Sequence, residues 1–268
     1  MSCIPVAIGG VSGSGTRVLA RLLRECGYYI GSDLNASVDN LWFAALFARR
    51  SALVDQRMPE LVSAFLHRME HGRPPDDISD VADIAATARF NWTREWMLER
   101  LASFCTPDPS PPARWGWKAP NTHTVVDHFL SAHARLRYIH LMRHGVDMVV
   151  SRQQMQLPIW GPVFLDRPVE QTPADSLAYW CAVHLRAKRL ASRFSDRVLI
   201  VDFDELCDRP EYVLEHILDF CGIDDVPMAR LAGLVQPPDS RGRFRQHDPA
   251  QFAPEDLDYV ESLGYVVR

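Results

Sequence analysis

Two short stretches of the chain combine residue types that bind anions. The first, GGVSGSGTRV at 9–18, places four residues between Gly10 and Gly15, which is the spacing of a phosphate-binding loop. Glycines let backbone N–H groups converge on an anion, and a helix that follows adds the positive end of its dipole. A nucleoside triphosphatase would continue with Lys and then Ser or Thr, but Thr16 and Arg17 follow here. We therefore expect the loop to hold an anion without that lysine.

The second stretch, LMRHGVDMVVS, places polar residues at the end of an apolar run. Arg143 comes where the run stops, Gly145 permits a turn, and Ser151 follows Arg143 by eight residues. Arginine offers a forked, permanently charged donor and serine a hydroxyl, so the pair suits a phosphate that lies beside a helix. Either residue alone is typical of a solvated surface, whereas the two together after a strand favour an anion site.

Strands must position both stretches. Apolar runs with many β-branched residues end where the polar stretches begin, and helical periodicity follows them. The predicted strands are 4–10, 136–142 and 197–203, and the predicted helices include 38–50, 58–70 and 80–103. Strands that alternate with helices indicate an α/β fold of three layers, α/β/α, around a central parallel sheet. Ligands bind such sheets beyond the carboxyl ends of the strands.

Length and composition restrict the class of protein. With 268 residues, 47% of them hydrophobic, the chain can bury about 70–75% of its unfolded surface, and we expect one domain over 1–268. A net charge of −5 with mixed signs argues against general binding of nucleic acid. The six cysteines form no C-x-x-C pair and no cluster with histidine at zinc spacing, so neither a disulfide framework nor a metal site is expected.

We expect neither a membrane span nor a signal peptide. No apolar run approaches the ~20 residues that span a bilayer, and the apolar start of the chain has no basic leader. These features predict a cytoplasmic protein. Its oligomeric state stays open, a homodimer included.

Four motifs carry a resemblance to a known family. GVSGSGTRVL, YIHLMRHGVDMVVS, VDFDELCDRPEYVLEHILDFCGI and SRGRFR occur in the order and at the spacing of the sulfotransferases that use 3′-phosphoadenylyl sulfate (PAPS), and the chain resembles bacterial members from residue 4 to about 245. The resemblance implies a P-loop-like fold and transfer of a sulfuryl group to an acceptor hydroxyl or amine. The donor is no nucleoside triphosphate and needs no metal, which explains the missing loop lysine.

The resemblance also implies a role for each motif residue. The loop would hold the 5′-phosphosulfate, and it consists of Ser12, Gly13, Ser14, Gly15, Thr16 and Arg17. Arg143 and Ser151 would bind the 3′-phosphate. A late segment would close over the 3′-phosphate and the adenine, and it consists of Ser240, Arg241, Gly242 and Arg243.

Two positions depart from the family pattern. Gly13 stands where members carry Lys or Arg, so the cation that supports the leaving oxygen must come from elsewhere. Lys118 of WKAPNTH is our candidate, and Arg17 is the second. Phe203 stands where tyrosine is common, which removes one hydrogen bond worth about 0.5–1.5 kcal/mol and leaves the ring free to pack.

The acceptor must also lose a proton. His123 and Asp33 are the candidate general bases, because the family places a basic histidine or a carboxylate in these segments and because such groups are the usual bases. Each also has a structural interpretation, as a residue at a helix start and as part of the turn SDLN.

The sequence is also compatible with two other function classes. VLIVD, ending at Asp202, resembles the strand that holds Mg²⁺ in P-loop kinases, although Thr16 argues against a kinase. A nucleotide-binding protein without activity would keep the fold and lose the acceptor site. The acceptor can be a small molecule, a glycan, a lipid or a peptide. Six aromatic residues belong either to the acceptor wall or, as is more common, to the core: Trp42, Phe43, Phe47, Trp92, Trp96 and Trp160.

Overall fold

The computed structural model describes residues 4–87, 92–110, 112–149, 154–224 and 226–267. The chain divides into two compact units. Unit 1 contains the chain up to Gly9 together with Leu19–Tyr138, and unit 2 contains Gly10–Val18 together with the chain from Ile139 onward. A single domain over the whole chain therefore stays a prediction.

Four strands form the parallel sheet that the sequence predicts. They are β1 (Val6–Gly10), β2 (Gly116–Lys118), β3 (Arg137–Met142) and β4 (Val198–Asp202), in the order β2-β1-β3-β4. All five residues of β1 and all three of β2 are buried, as expected for strands covered on both faces. Strands β1 and β2 pair in parallel, with Ile8 opposite Lys118. The α/β fold class is confirmed, and each of the three predicted strands is present within two residues of its predicted bounds.

Between β1 and β3, the part of the chain that the structure describes forms six α-helices. They are α1 (Thr16–Glu25), α2 (Leu41–Phe47), α3 (Met58–His71), α4 (Ser79–Thr87), α5 (Arg94–Cys105) and α6 (Val126–Ala132). The prediction of one helix over 80–103 is wrong, because α5 has its own N-terminus. The Thr93 side chain accepts a hydrogen bond from the Trp96 amide there and caps α5.

The described residues that follow β3 form seven further α-helices. They are α7 (Gly145–Val149), α8 (Gln156–Phe164), α9 (Pro173–Arg193), α10 (Phe203–Asp208), α11 (Pro210–Cys221), α12 (Met228–Ala232) and α13 (Pro254–Ser262). The motif that contains α11 serves packing, as its periodicity indicates, since Leu214, Ile217, Leu218 and Cys221 are all buried. Among the described residues, no helix is both long enough and apolar enough to cross a bilayer.

Most of the six aromatic residues singled out in the sequence belong to the core. Trp42, Phe43 and Phe47 are at most 1% exposed within unit 1, and Trp160 is fully buried within unit 2. The other two, Trp92 and Trp96, stack on each other with ring centroids 4.2 Å apart, and Trp92 is 37% exposed. Only that pair could offer an aromatic surface to an acceptor among these six.

Candidate active site

The glycine-rich loop joins the end of β1 to the start of α1 and belongs to unit 2. Gly10 and Gly15 have φ angles of 151° and 95°, which favour glycine. A Cβ on Gly10 would lie 2.4 Å from the Leu141 carbonyl oxygen, and one on Gly15 would lie 2.5 Å from the Phe203 ring. The phenylalanine that replaces the family's tyrosine thus packs against the loop, and both glycines are sterically required.

The loop presents polar groups in the manner of an anion site. The Ser12 amide donates to Gln156 Oε1 at 2.9 Å, which fixes the start of the loop. Ser14 is fully buried, and its Oγ has no hydrogen-bond partner in the part of the chain that the structure describes. Thr16, 4% exposed, begins α1, whose first N–H groups have no partner inside the helix. An anion would satisfy these donors.

Arg143, at the end of β3, is a buried cation with unused donors. It is 4% exposed, and within the described ranges neither its Nε nor its Nη2 makes a hydrogen bond. Nη2 lies 3.7 Å from Asp147 Oδ2 and Nε lies 4.0 Å from Asp204 Oδ1, distances that allow only a loose ionic contact. A phosphate would suit such a guanidinium. Ser151, its predicted companion, lies outside the described residues.

Asp147 of α7 anchors the late segment of unit 2. Its Oδ2 accepts from the Gly242 amide and its Oδ1 from the Phe244 amide, both at 2.7 Å, and residue 147 is 2% exposed. The His144 ring stacks on Phe244 at 4.5 Å. Sequence reasoning missed Asp147, because its partners lie more than ninety residues away along the chain. Ser240 precedes the anchored turn and Arg243 lies within it, and both are at least partly exposed.

Arg241 lies beside a cleft of about 630 Å³ that contains several carboxylates. Its Nε is 3.3 Å from Asp204 Oδ1, the same oxygen that lies 4.0 Å from Arg143 Nε. Asp208 accepts hydrogen bonds from both terminal nitrogens of Arg241. Unit 2 therefore brings together two of the predicted phosphate-binding arginines.

Asp202, the residue that suggested a kinase, is a helix cap. Its Oδ1 accepts from the amides of Asp204 at 2.8 Å and Glu205 at 3.3 Å, which caps α10. Burial raises the pKa of this carboxyl above its usual range. Among the described residues, no group of His, Cys, Asp or Glu is arranged to hold a metal ion.

Lys118 lies at the end of β2 in unit 1, where it is paired with a carboxylate that sequence reasoning missed. Its side chain is 2% exposed, and Nζ donates to Asp39 Oδ1 and, at 3.1 Å, to the Ser37 carbonyl. Asp39 also accepts from Asn35 Nδ2 at 2.8 Å. A buried ammonium group requires a counter-charge. The sequence pattern does not indicate that this partner is Asp39 and not Asp33.

Asp33 is ionically paired with Arg100. Asp33 Oδ2 and Arg100 Nε are 3.1 Å apart, and their side chains are 11% and 18% exposed. Arg100 also lies over the Trp96 ring at 5.2 Å. The ion pair places the Arg100 guanidinium against the carboxylate oxygen that would accept the acceptor's proton.

His123 is buried in a short 3₁₀ segment, Pro120–Thr124, that follows β2. Its Nδ1 lies 2.8 Å from the Pro120 carbonyl oxygen. Because a carbonyl only accepts hydrogen bonds, Nδ1 carries the proton in the neutral ring and Nε2 is the basic nitrogen. Arg17, the second cation candidate, is exposed in the first turn of α1 in unit 2.

The loop and the buried arginine of unit 2 carry donors that could bind a phosphorylated anion. The model of the sulfotransferase family matches residues 5–227, and the chain belongs to this family. The protein is therefore a transferase that moves sulfuryl groups.

Solved structures agree on the fold. The sulfotransferase domain of the Synechococcus PCC 7002 olefin synthase is 18% identical, and the match covers 98% of this chain and 96% of that one with a TM-score of 0.51. The sulfotransferase domain from the curacin biosynthetic pathway is 15% identical, with all of both chains covered and a TM-score of 0.52. A comparison with curated proteins found no match.

Proposed function

We propose that the protein transfers the sulfuryl group of PAPS to a hydroxyl or amine of a small-molecule, glycan, lipid or peptide acceptor. The acceptor atom attacks sulfur, the bond from sulfur to the 5′-phosphate oxygen breaks, and adenosine 3′,5′-bisphosphate leaves. The acceptor proton passes to a base. The observation that carries the proposal is the buried Arg143 guanidinium, two of whose nitrogens make no hydrogen bond to the described residues, in a chain of the sulfotransferase family.

The donor residues are those of unit 2. In our proposal, the Ser14 hydroxyl, the loop amides and the N-terminus of α1 bind the 5′-phosphosulfate. Arg143, Arg241 and Ser151 bind the 3′-phosphate. The buried Ser14 Oγ, for which the described residues supply no hydrogen-bond partner, supports this assignment.

The first-choice cation and both candidate bases belong to unit 1. Lys118 would stabilise the negative charge that develops on the leaving oxygen, and a preorganised cation is the usual device for this purpose. The hydrogen bond to Asp39 orients the Lys118 ammonium group. Arg17 is the alternative cation.

His123 and Asp33 both stay as candidate bases. The contact of Nδ1 with the Pro120 carbonyl supports His123, because it fixes the tautomer in which Nε2 is the unprotonated nitrogen. Asp33 is disfavoured by its contact with Arg100.

A thermal melt tests the donor assignment against the kinase alternative. Adenosine 3′,5′-bisphosphate without Mg²⁺ should stabilise the protein by roughly 2.7 kcal/mol at about 100 times its dissociation constant, and Mg·ATP by much less. Arg143→Ala should lose most of this stabilisation, because the bisphosphate should bind about 1.5–3 kcal/mol more weakly. Arg193→Ala, which removes an arginine at the C-terminal end of α9, is the matched control and should keep it. Equal or greater stabilisation by Mg·ATP would favour the kinase instead.

A further inference from the structure

The guanidinium of Arg241 binds the carboxylate of Asp208. Its Nη1 donates to Asp208 Oδ1 at 2.6 Å, and its Nη2 donates to Asp208 Oδ2. Arginine binds phosphate with the same bidentate geometry. The hydrogen bonds from Arg241 hold the pKa of Asp208 below its usual range, so the carboxylate is charged at neutral pH.

Three carboxylates surround the two arginines that are proposed to bind phosphate. Asp147 lies near Arg143, Asp208 is bound to Arg241, and Asp204 lies near both. Two positive and three negative charges leave this cluster with a net charge of −1. A phosphate monoester, which carries about −1.5 to −2 at pH 7, must compete with these carboxylates for the two arginines.

The three carboxylates differ in their hydrogen bonds to the backbone and in their exposure. Asp147 accepts two backbone amides, and Asp204 Oδ2 accepts the His144 amide at 2.9 Å. Their side chains are only 1% and 13% exposed. Asp208, the last residue of α10, has a side chain that is 58% exposed. Rotation of the Asp208 side chain into water therefore costs less than displacement of either of the others.

We propose that Asp208 competes with the 3′-phosphate for Arg241 and thereby sets the affinity of the donor nucleotide and the rate of its release. This inference rests on the proposed function. Asp208 neutralises Arg241 in the free protein, swings away when the nucleotide binds, and returns as adenosine 3′,5′-bisphosphate leaves. Asp208 thereby lowers the affinity of the donor site for the nucleotide. Faster release of adenosine 3′,5′-bisphosphate then keeps product release from limiting turnover.

Isothermal titration with adenosine 3′,5′-bisphosphate tests the competition directly. Asp208→Asn should bind the nucleotide about 5–20-fold more tightly than the unchanged protein, because a charged competitor becomes a neutral one. Stopped-flow displacement should show that most of the gain is slower dissociation.

Glu205→Gln is the matched control. Glu205 lies on the same helix, is 45% exposed and contacts Arg209 at 3.2 Å, so its substitution removes one negative charge and leaves the Asp208 contact with Arg241 in place. We expect less than a twofold change in affinity. Asp208→Ala, which also deletes the hydrogen-bonding group, should reproduce the gain of Asp208→Asn.

Three results would overturn the inference. Equal gains in affinity in Asp208→Asn and Glu205→Gln would assign the effect to the overall negative charge of α10. If Asp208→Asn binds the bisphosphate no more tightly than the unchanged protein, Asp208 does not compete with the phosphate and instead positions Arg241. Binding of the bisphosphate by none of the proteins would reject the proposed donor itself, and that outcome is distinct from the other two.

Discussion

The two units each hold a cation paired with a carboxylate, and the two pairs differ in exposure. In unit 1 the side chains of Lys118 and Asp39 are 2% and 22% exposed. In unit 2 those of Arg241 and Asp208 are 33% and 58% exposed. Breaking a buried pair leaves a charge without water or partner, whereas an exposed pair exchanges readily with solvent. The buried pair is suited to hold a group in place, and the exposed pair to give way to a ligand.

The buried pair should show the largest effect on folding. Asp39→Ala takes the carboxylate away from a buried ammonium group, which typically costs about 3–5 kcal/mol, and the partial exposure of Asp39 lowers the expected loss to about 2–3 kcal/mol. Urea denaturation measures it. Asp39→Asn keeps a hydrogen-bond acceptor and should lose less. A loss below about 0.5 kcal/mol in Asp39→Ala, the range of ordinary surface substitutions, would show that the contact does not hold Lys118.

The catalytic use of the same pair is tested by Lys118→Ala. Turnover should fall by about 10²–10³-fold, as when a preorganised donor to a developing negative charge is removed. Binding of adenosine 3′,5′-bisphosphate should change little. The chain has only one other lysine, Lys188, which is exposed on α9 and offers a matched control. Near-normal turnover of Lys118→Ala would transfer the role to Arg17 or to the loop amides.

Comparison of His123→Asn with Asp33→Asn tests which base serves the acceptor. We expect His123→Asn to reduce turnover by about 10²-fold, the usual share of general-base catalysis. Asp33→Asn should reduce it less, since Asp33 is already paired with Arg100. Both variants must first bind the bisphosphate with normal affinity. The reverse order of activities would identify Asp33 as the base. Normal activity in both variants would reject both residues as the base.

The exposed pair should matter least for folding. Asp208→Ala should lower the free energy of unfolding by less than about 1 kcal/mol, the usual range for exposed ion pairs. The same variant is expected to raise nucleotide affinity, so stability and binding should change in opposite directions. A loss of stability as large as that of Asp39→Ala would remove the contrast between the two units.

Local patterns explain what could be predicted from the sequence. The glycine loop, the arginine after β3 and the apolar face of α11 are set by neighbouring residues, and all three are present. Asp147 and Asp39 could not be found in this way, because their partners are distant along the chain. The boundary between α4 and α5 was missed because one capping side chain, that of Thr93, outweighs the helical periodicity around it.

Recognition of a 3′-phosphate is the central claim, and titration with two nucleotides tests it most directly. Adenosine 3′,5′-bisphosphate and adenosine 5′-phosphate differ only in that group. The unchanged protein should prefer the bisphosphate by about 1.5–3 kcal/mol, the value of hydrogen bonds to a charged group. Arg143→Ala should lose that preference while it binds adenosine 5′-phosphate as before. Equal binding of the two nucleotides by the unchanged protein would contradict the account.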